Sequence, residues 1–215
     1  MNRVGHPAPE ALIGREADAR VASAIKSLAG AGRHDEAREQ FSDLVLRHQR
    51  RASRIALHYL RDAADADEAV QDAFLRAFRH FDSFRDDMPF EVWFTRILIN
   101  GCLDRIKARG RRERWFAPRP EAESGTPDPV EAAAGTGRTP EELLLGRERR
   151  RLIAKALQRL TERQRLVFVL SQVEGCSSRE VGAITGLNES TVRVHLFRAV
   201  RSLRRLLGDV AGRQD

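Results

Sequence analysis

Apolar residues along this 215-residue chain recur at spacings of three and four, and runs of alternating β-branched residues are scarce. That period belongs to helices rather than strands and predicts an all-α fold. Residues 37–60 place Phe41, Leu44, Val45, His48, Ala52, Ile55 and Tyr59 on one side of a helix. Residues 65–78 repeat the pattern with Ala69, Val70, Phe74 and Ala77, and residues 90–109 with Trp93, Phe94, Ile97, Leu98, Cys102, Leu103 and Ile106. Three amphipathic helices suffice to close a small bundle. Residues 1–33 are rich in Ala and Gly and only weakly periodic, which predicts a partly helical or disordered extension without an assignable role.

The period vanishes between Pro118 and Pro140, where Pro, Gly, Ala, Ser and acids take over. Such a stretch cannot bury a core and reads as a flexible tether. Two small helical domains are therefore expected, at 37–114 and 143–207, with an extension over 1–36, a linker over 115–142 and a tail over 208–215. In the second domain, residues 149–160 form one helix through Leu152, Ile153, Ala156, Leu157 and Leu160. Thr161 with Gln164, and Ser177 with Glu180, have the spacing of capping boxes. The first box opens a helix burying Leu166, Val167, Val169 and Leu170. The second opens a short helix with Val181 and Ile184 inward that stops at Gly186, a residue free to take positive φ. Asn188 caps a longer helix with Val192, Leu196, Ala199 and Leu203 on its inner stripe. Short helix, Gly turn and longer helix make a helix-turn-helix, with Gly182 permitting close packing.

Charge sharpens this division. The net charge is +7, and it is unevenly spread: residues 93–115 carry seven Arg/Lys against two acids, and residues 150–215 thirteen against six. Residues 1–92 are nearly balanced and 116–142 are acidic. Two separate cationic blocks fit a polyanion touched at two places. Cys102 and Cys176 are too few and too isolated for a disulfide framework or zinc knuckle and read as packed thiols in a reducing cytoplasm. No stretch has the length and apolarity of a signal peptide or membrane span. A Gly-rich phosphate loop, a metal-spaced His/Cys set and a nucleophile motif are all missing, which argues against an enzyme, a metal or a cofactor.

Two helices are candidates for nucleic-acid contact. On the last, Ser190, Arg193, Phe197, Arg201 and Arg204 recur on the outward stripe, and no acid occurs from Ser190 to Arg205. A helix apolar on one face and neutral-to-basic on the other suits a major groove. On the helix from Phe90, Arg96, Asn100, Lys107 and Arg111 lie opposite the Trp93, Ile97 and Leu98 side, and Arg105, Arg109, Arg112 and Arg114 extend the charge. Basic and amide groups near aromatics suit single strands whose bases leave the stack.

The run DADEAVQDAFLRAF over residues 65–78 resembles the sigma-2 signature of extracytoplasmic-function sigma factors of the sigma-70 family. The run FEVWFTRILIN over 90–100 resembles the helix that follows it in that family, and 160–206 resembles the sigma-4 domain. The three matches are collinear and cover roughly residues 37–114 and 143–207.

The resemblance implies that the first domain docks on the β′ clamp helices of core RNA polymerase through Gln71 and Asp72. It implies capture of flipped minus-10 bases by Trp93, Arg96, Asn100, Asp104 and Lys107. The second domain would sit on the β flap and bring Ser190, Thr191, Arg193, Phe197, Arg198 and Arg201 to the minus-35 element of promoter DNA. An anti-sigma factor is a further implied partner. Asp62, Asp65, Asp67 and Glu68 read as a solvated helix entrance, where acids are favoured. The acidic linker fits either an RNA mimic in the polymerase channels or a solvated spacer. Val194 and His195 stand where such proteins often have Ser-Arg, and Val200 where a second basic residue is common. Two rival readings remain at this stage: a sigma-like decoy for an anti-sigma factor, and a stand-alone helix-turn-helix regulator that leaves residues 37–114 unexplained.

Overall fold

The computed structural model describes residues 9–85, 87–115, 148 and 151–211, and the side chains of 14–85, 87–111, 148 and 151–208 among them. The expected linker, apart from its first residue, the last four residues of the tail, and the side chains of Arg112 and Arg114 lie outside that set. Among the described residues every regular element is helical. The chain divides into two compact units, the first made of residues 1–127 with the short stretch 183–186 and the second of the remaining residues from 128 onward.

The first unit has four helices rather than three: α1 (Pro9–Gly30), α2 (His34–Leu60), α3 (Ala63–Arg79) and α4 (Phe90–Trp115). Its core is aromatic. Phe41 meets Phe74 and Phe81, Phe74 stacks on Phe94 at 4.3 Å, and Phe90 stacks on Phe94 at 5.9 Å. Leu44, Leu98 and Ile99 are also fully buried, each such side chain contributing roughly 1.5–3 kcal/mol by leaving water. The turn between α2 and α3 takes two residues: Arg61 adopts a left-handed φ of 61°, and the Asp62 carboxylate accepts from the Asp65 N–H at 2.9 Å to cap α3. Burial pushes the Cys102 thiol up to about 12, so it stays protonated and inert at neutral pH. Both cysteines are buried and free.

The weakly periodic amino-terminal segment is α1, and it packs on α2 and α4. Ala22 and Ile25 are buried, but polar contacts fix its position. Asp18 is buried against His48, whose Nε2 lies 2.7 Å from its Oδ2, and it accepts from Arg47 Nη1 at 2.8 Å. Glu91, at the start of α4, takes Arg15 of α1 at 2.5 Å and Arg51 of α2 at 2.9 Å.

The second unit contains α5 over 151–158, α6 (Glu162–Phe168) running into a π-helical turn (Val169–Val173), α7 (Ser178–Thr185) and α8 (Glu189–Ala211). Ala156, Leu157 and Leu160 pack with Ala199 and Leu203 of α8 in one core. Leu166, Val167, Val169 and Leu170 are buried as the pattern predicts, whereas Ile153 is 40% exposed. Both capping boxes form, Thr161 with Gln164 at 3.3 and 3.4 Å and Ser177 with Glu180 at 2.8 and 3.2 Å.

Candidate nucleic-acid interface

At 3.6 residues per turn, positions 96, 100, 104, 107 and 111 fall within about 80° of arc on α4. All five side chains are exposed, while Val92, Phe94, Leu98, Ile99 and Cys102 are buried on the other side. Arg96, Asn100, Asp104 and Lys107, read from the sequence as minus-10 contacts, thus form one polar stripe. Trp93, expected on the opposite side, instead shares their sector at about 100° per residue, and it is half-buried, its ring 5.3 Å from Phe84, 5.7 Å from Phe81 and 5.8 Å from Phe90. The loop before α4, with the 3-10 turn Phe81–Ser83, therefore holds the indole as the aromatic margin of the stripe.

The basic extension of that stripe is different from the simple sum of its charges. Arg105 points to α3: Nη1 donates to Glu68 Oε2 at 2.9 Å and Nη2 to Asp72 Oδ2 at 2.5 Å. One turn on, Arg109 lies 3.6 Å from Asp65. The bond to Glu68 raises the Arg105 pKa further, with Asp72 adding to it. Asp65 and Glu68, expected to be a solvated helix entrance, are instead one side of an ion-pair ladder, because spacings of three and four put 65, 68 and 72 on one face of α3 and a spacing of four puts 105 and 109 on one face of α4. That paired spacing was the available signal. Of the two expected polymerase contacts, Gln71 is exposed and Asp72 is half-buried in the ladder.

In the second unit the turn is built as its glycines require. Gly186 has φ +74, and a Cβ on Gly182 would lie 2.7 Å from the Leu187 carbonyl oxygen. Close approach at Gly182 is thus to the backbone of the turn. Val192 is fully buried in the angle. Asn188 Oδ1 accepts from the Thr191 N–H and from the Ser190 hydroxyl, both at 2.8 Å, so Ser190 donates to the cap and keeps its oxygen lone pairs outward. Ser190, Arg193, Phe197, Arg198, Arg201, Arg204 and Arg205 are exposed, and Thr191 is half-buried. Among the described residues, the carboxylate nearest these cations is Glu189, 3.5 Å from Arg193. Phe197 is 67% exposed and Val194 46%, so the departure at 194 lies on the outward face. His195 is half-buried, which suits packing.

Comparison with known proteins finds matches to both units. The family model for Sigma-70 region 2 matches residues 44–112, and that for Sigma-70, region 4 matches residues 150–203. The ECF RNA polymerase sigma-E factor of Escherichia coli K12 is 31% identical over 161 residues, covering 74% of this chain and 82% of that protein. Among solved structures, CnrH in complex with the cytosolic domain of CnrY superposes with a TM-score of 0.59 at 26% identity, over 90% of this chain and 98% of that one. The sigma factor RpoE from Bartonella quintana, in complex with the anti-sigma factor NepR, gives a TM-score of 0.61 at 22% identity, over 79% and 98%. With two regions matched in order and a relative of this identity covered for most of its length, the chain belongs to the ECF RNA polymerase sigma factors of the sigma-70 family.

Proposed function

We propose that this sigma factor divides promoter recognition between two helices of different chemistry. The chain binds core RNA polymerase and promoter DNA as an alternative sigma factor. Its first unit docks on the β′ clamp helices through α3, with Gln71 and Asp72 in contact, and α4 captures unstacked minus-10 bases on Trp93, Arg96, Asn100, Asp104 and Lys107. Its second unit docks on the β flap, and α8 reads the minus-35 element as duplex with Ser190, Thr191, Arg193, Phe197, Arg198 and Arg201.

The observation supporting this division is that both helices bury one face and expose, on the other, the residues singled out in the sequence, with Trp93 and Thr191 half-buried at the margins. Arginines at a helix surface donate in a fork to guanine edges and phosphates. An amide and a half-buried indole instead serve bases already out of the stack. Trapping such bases offsets the cost of opening the duplex, so melting requires no catalysis, cofactor or nucleotide hydrolysis by this chain. The setting is the cytoplasm, where polymerase and genome are. No described helix is long and apolar enough to cross a membrane. An anti-sigma factor, such as the one found with the Bartonella quintana protein, is a natural regulator of the same surfaces.

The test separates the two helices. Arg193→Ala weakens binding of duplex minus-35 DNA by about 1–3 kcal/mol and leaves minus-10 single-strand binding unchanged. Asn100→Ala does the reverse. Binding titrations with the two DNA probes, using reconstituted holoenzyme, check this, and variants that both transcribe at the wild-type rate under limiting conditions refute the assignment.

A further inference from the structure

Arg105 counts toward the basic block of α4 in the sequence, yet its guanidinium is committed to α3, 2.9 Å from Glu68 and 2.5 Å from Asp72. We propose that Arg105 is a latent phosphate ligand, held by those two carboxylates in the free protein and released to the DNA backbone when cationic side chains of core polymerase take them over. This rests on the reading above, that α3 carries the polymerase contact and α4 the minus-10 strand.

Three features of the geometry support an exchange. The acids are more open than the arginine: Glu68 and Asp72 are 68% and 50% exposed, and Arg105 only 27%. An incoming cation therefore meets the carboxylates first. Ion pairs this exposed are weak and easily displaced. There is also room for the released side chain. A cleft of about 320 Å³ between α3 and α4 is lined by Asp72 and Arg105 and also by Asp104 and Arg111 of the polar stripe. Small residues, Ala73 and Gly101 among them, are part of its lining. The cleft, which Arg76 and Ile97 also line, thus borders both Asp72 of the acid cradle and the DNA-facing stripe. Arg109, on the next turn and 3.6 Å from Asp65, is placed to follow the same course.

The exchange couples two partners. Because linkage is reciprocal, polymerase raises affinity for the minus-10 strand by the factor with which that strand raises affinity for polymerase. It also keeps part of the charge of α4 from non-specific nucleic acid in the absence of polymerase.

The experiment measures binding of a dye-labelled single-stranded DNA oligonucleotide to the full free chain by fluorescence anisotropy across a salt series. The isosteric double variant Glu68→Gln, Asp72→Asn mimics neutralisation of the cradle. Its affinity is expected to rise by about three-fold or more, with a salt dependence steeper by about 0.7 in the logarithmic slope, the value for one added phosphate contact on a single strand. In an Arg105→Ala background the gain is expected to vanish. An equal gain with and without Arg105 would mean that only the general field changed, and that result, or no gain at all, overturns the proposal. Arg96→Ala in the same assay separates the inference from its basis. If it weakens binding while the Arg105 cycle shows no coupling, the latent site alone fails. If Arg96→Ala has no effect, the assignment of α4 fails and the latent site with it.

Discussion

The two basic helices hold their arginines in opposite ways. On α8, Arg193 is 62% exposed and its neighbouring carboxylate, Glu189, is 3.5 Å away in the same helix, while Arg198, Arg201, Arg204 and Arg205 reach no carboxylate among the described residues. On α4, Arg105 and Arg109 are bridged to three acids of α3, and Arg96, Lys107 and Arg111 stand exposed. The helix assigned to intact duplex thus holds these arginines ready for a major groove, its other face packed in the core of its own unit. The helix assigned to the melted strand has part of its charge tied to the surface assigned to the polymerase. The difference suits the order of events, since a duplex element exists before polymerase arrives and an unpaired strand only afterwards.

Breaking the first unit tests this contrast most severely. Asp18→Ala leaves the buried His48 ring and the partly exposed Arg47 without their shared acceptor, and an unsatisfied buried polar group costs about 1–3 kcal/mol. Calorimetry of the full chain is expected to show one transition lowered and the other in place, with single-strand binding reduced and minus-35 duplex binding retained. Gly182→Ala attacks the other side. Its methyl would meet the Leu187 carbonyl, a clash worth about 1–3 kcal/mol, so duplex binding falls while single-strand binding persists. The mildest test is Asn188→Ala, which removes the cap from Thr191 and Ser190. About 1 kcal/mol of local stability is lost, seen as faster hydrogen exchange in the first turn of α8, with a small decrease in duplex affinity.

How far the sequence foretold these elements depends on what positions them. The helices α2, α3 and α8 lie where the apolar period puts them, and the capping boxes at Thr161 and Ser177 form because capping is local chemistry. The docking of α1 was illegible, because an Ala-rich helix has a faint period and this one is held by Asp18 on His48, thirty residues away in sequence, and by Arg15 on Glu91. The π-helical turn closed by the Glu174 N–H on the Val169 carbonyl has no counterpart in the apolar period. On α4 the stripe from Arg96 to Lys107 was legible as a face of one helix. The pairing of Arg105 with Glu68 and Asp72 was not, since a sum of charges along one helix omits the facing helix. Ile153, apolar yet exposed, is a reminder that a period identifies a helix more surely than the direction of each residue.

The most direct test of the account is transcription from the genomic DNA of the source organism by core RNA polymerase, free of other sigma factors, after addition of the purified chain. Specific starts preceded by two spaced elements are predicted, with Arg193→Ala impairing use of the upstream element and Asn100→Ala the downstream one. Polymerase binding without specific starts, or no polymerase binding at all, would contradict it.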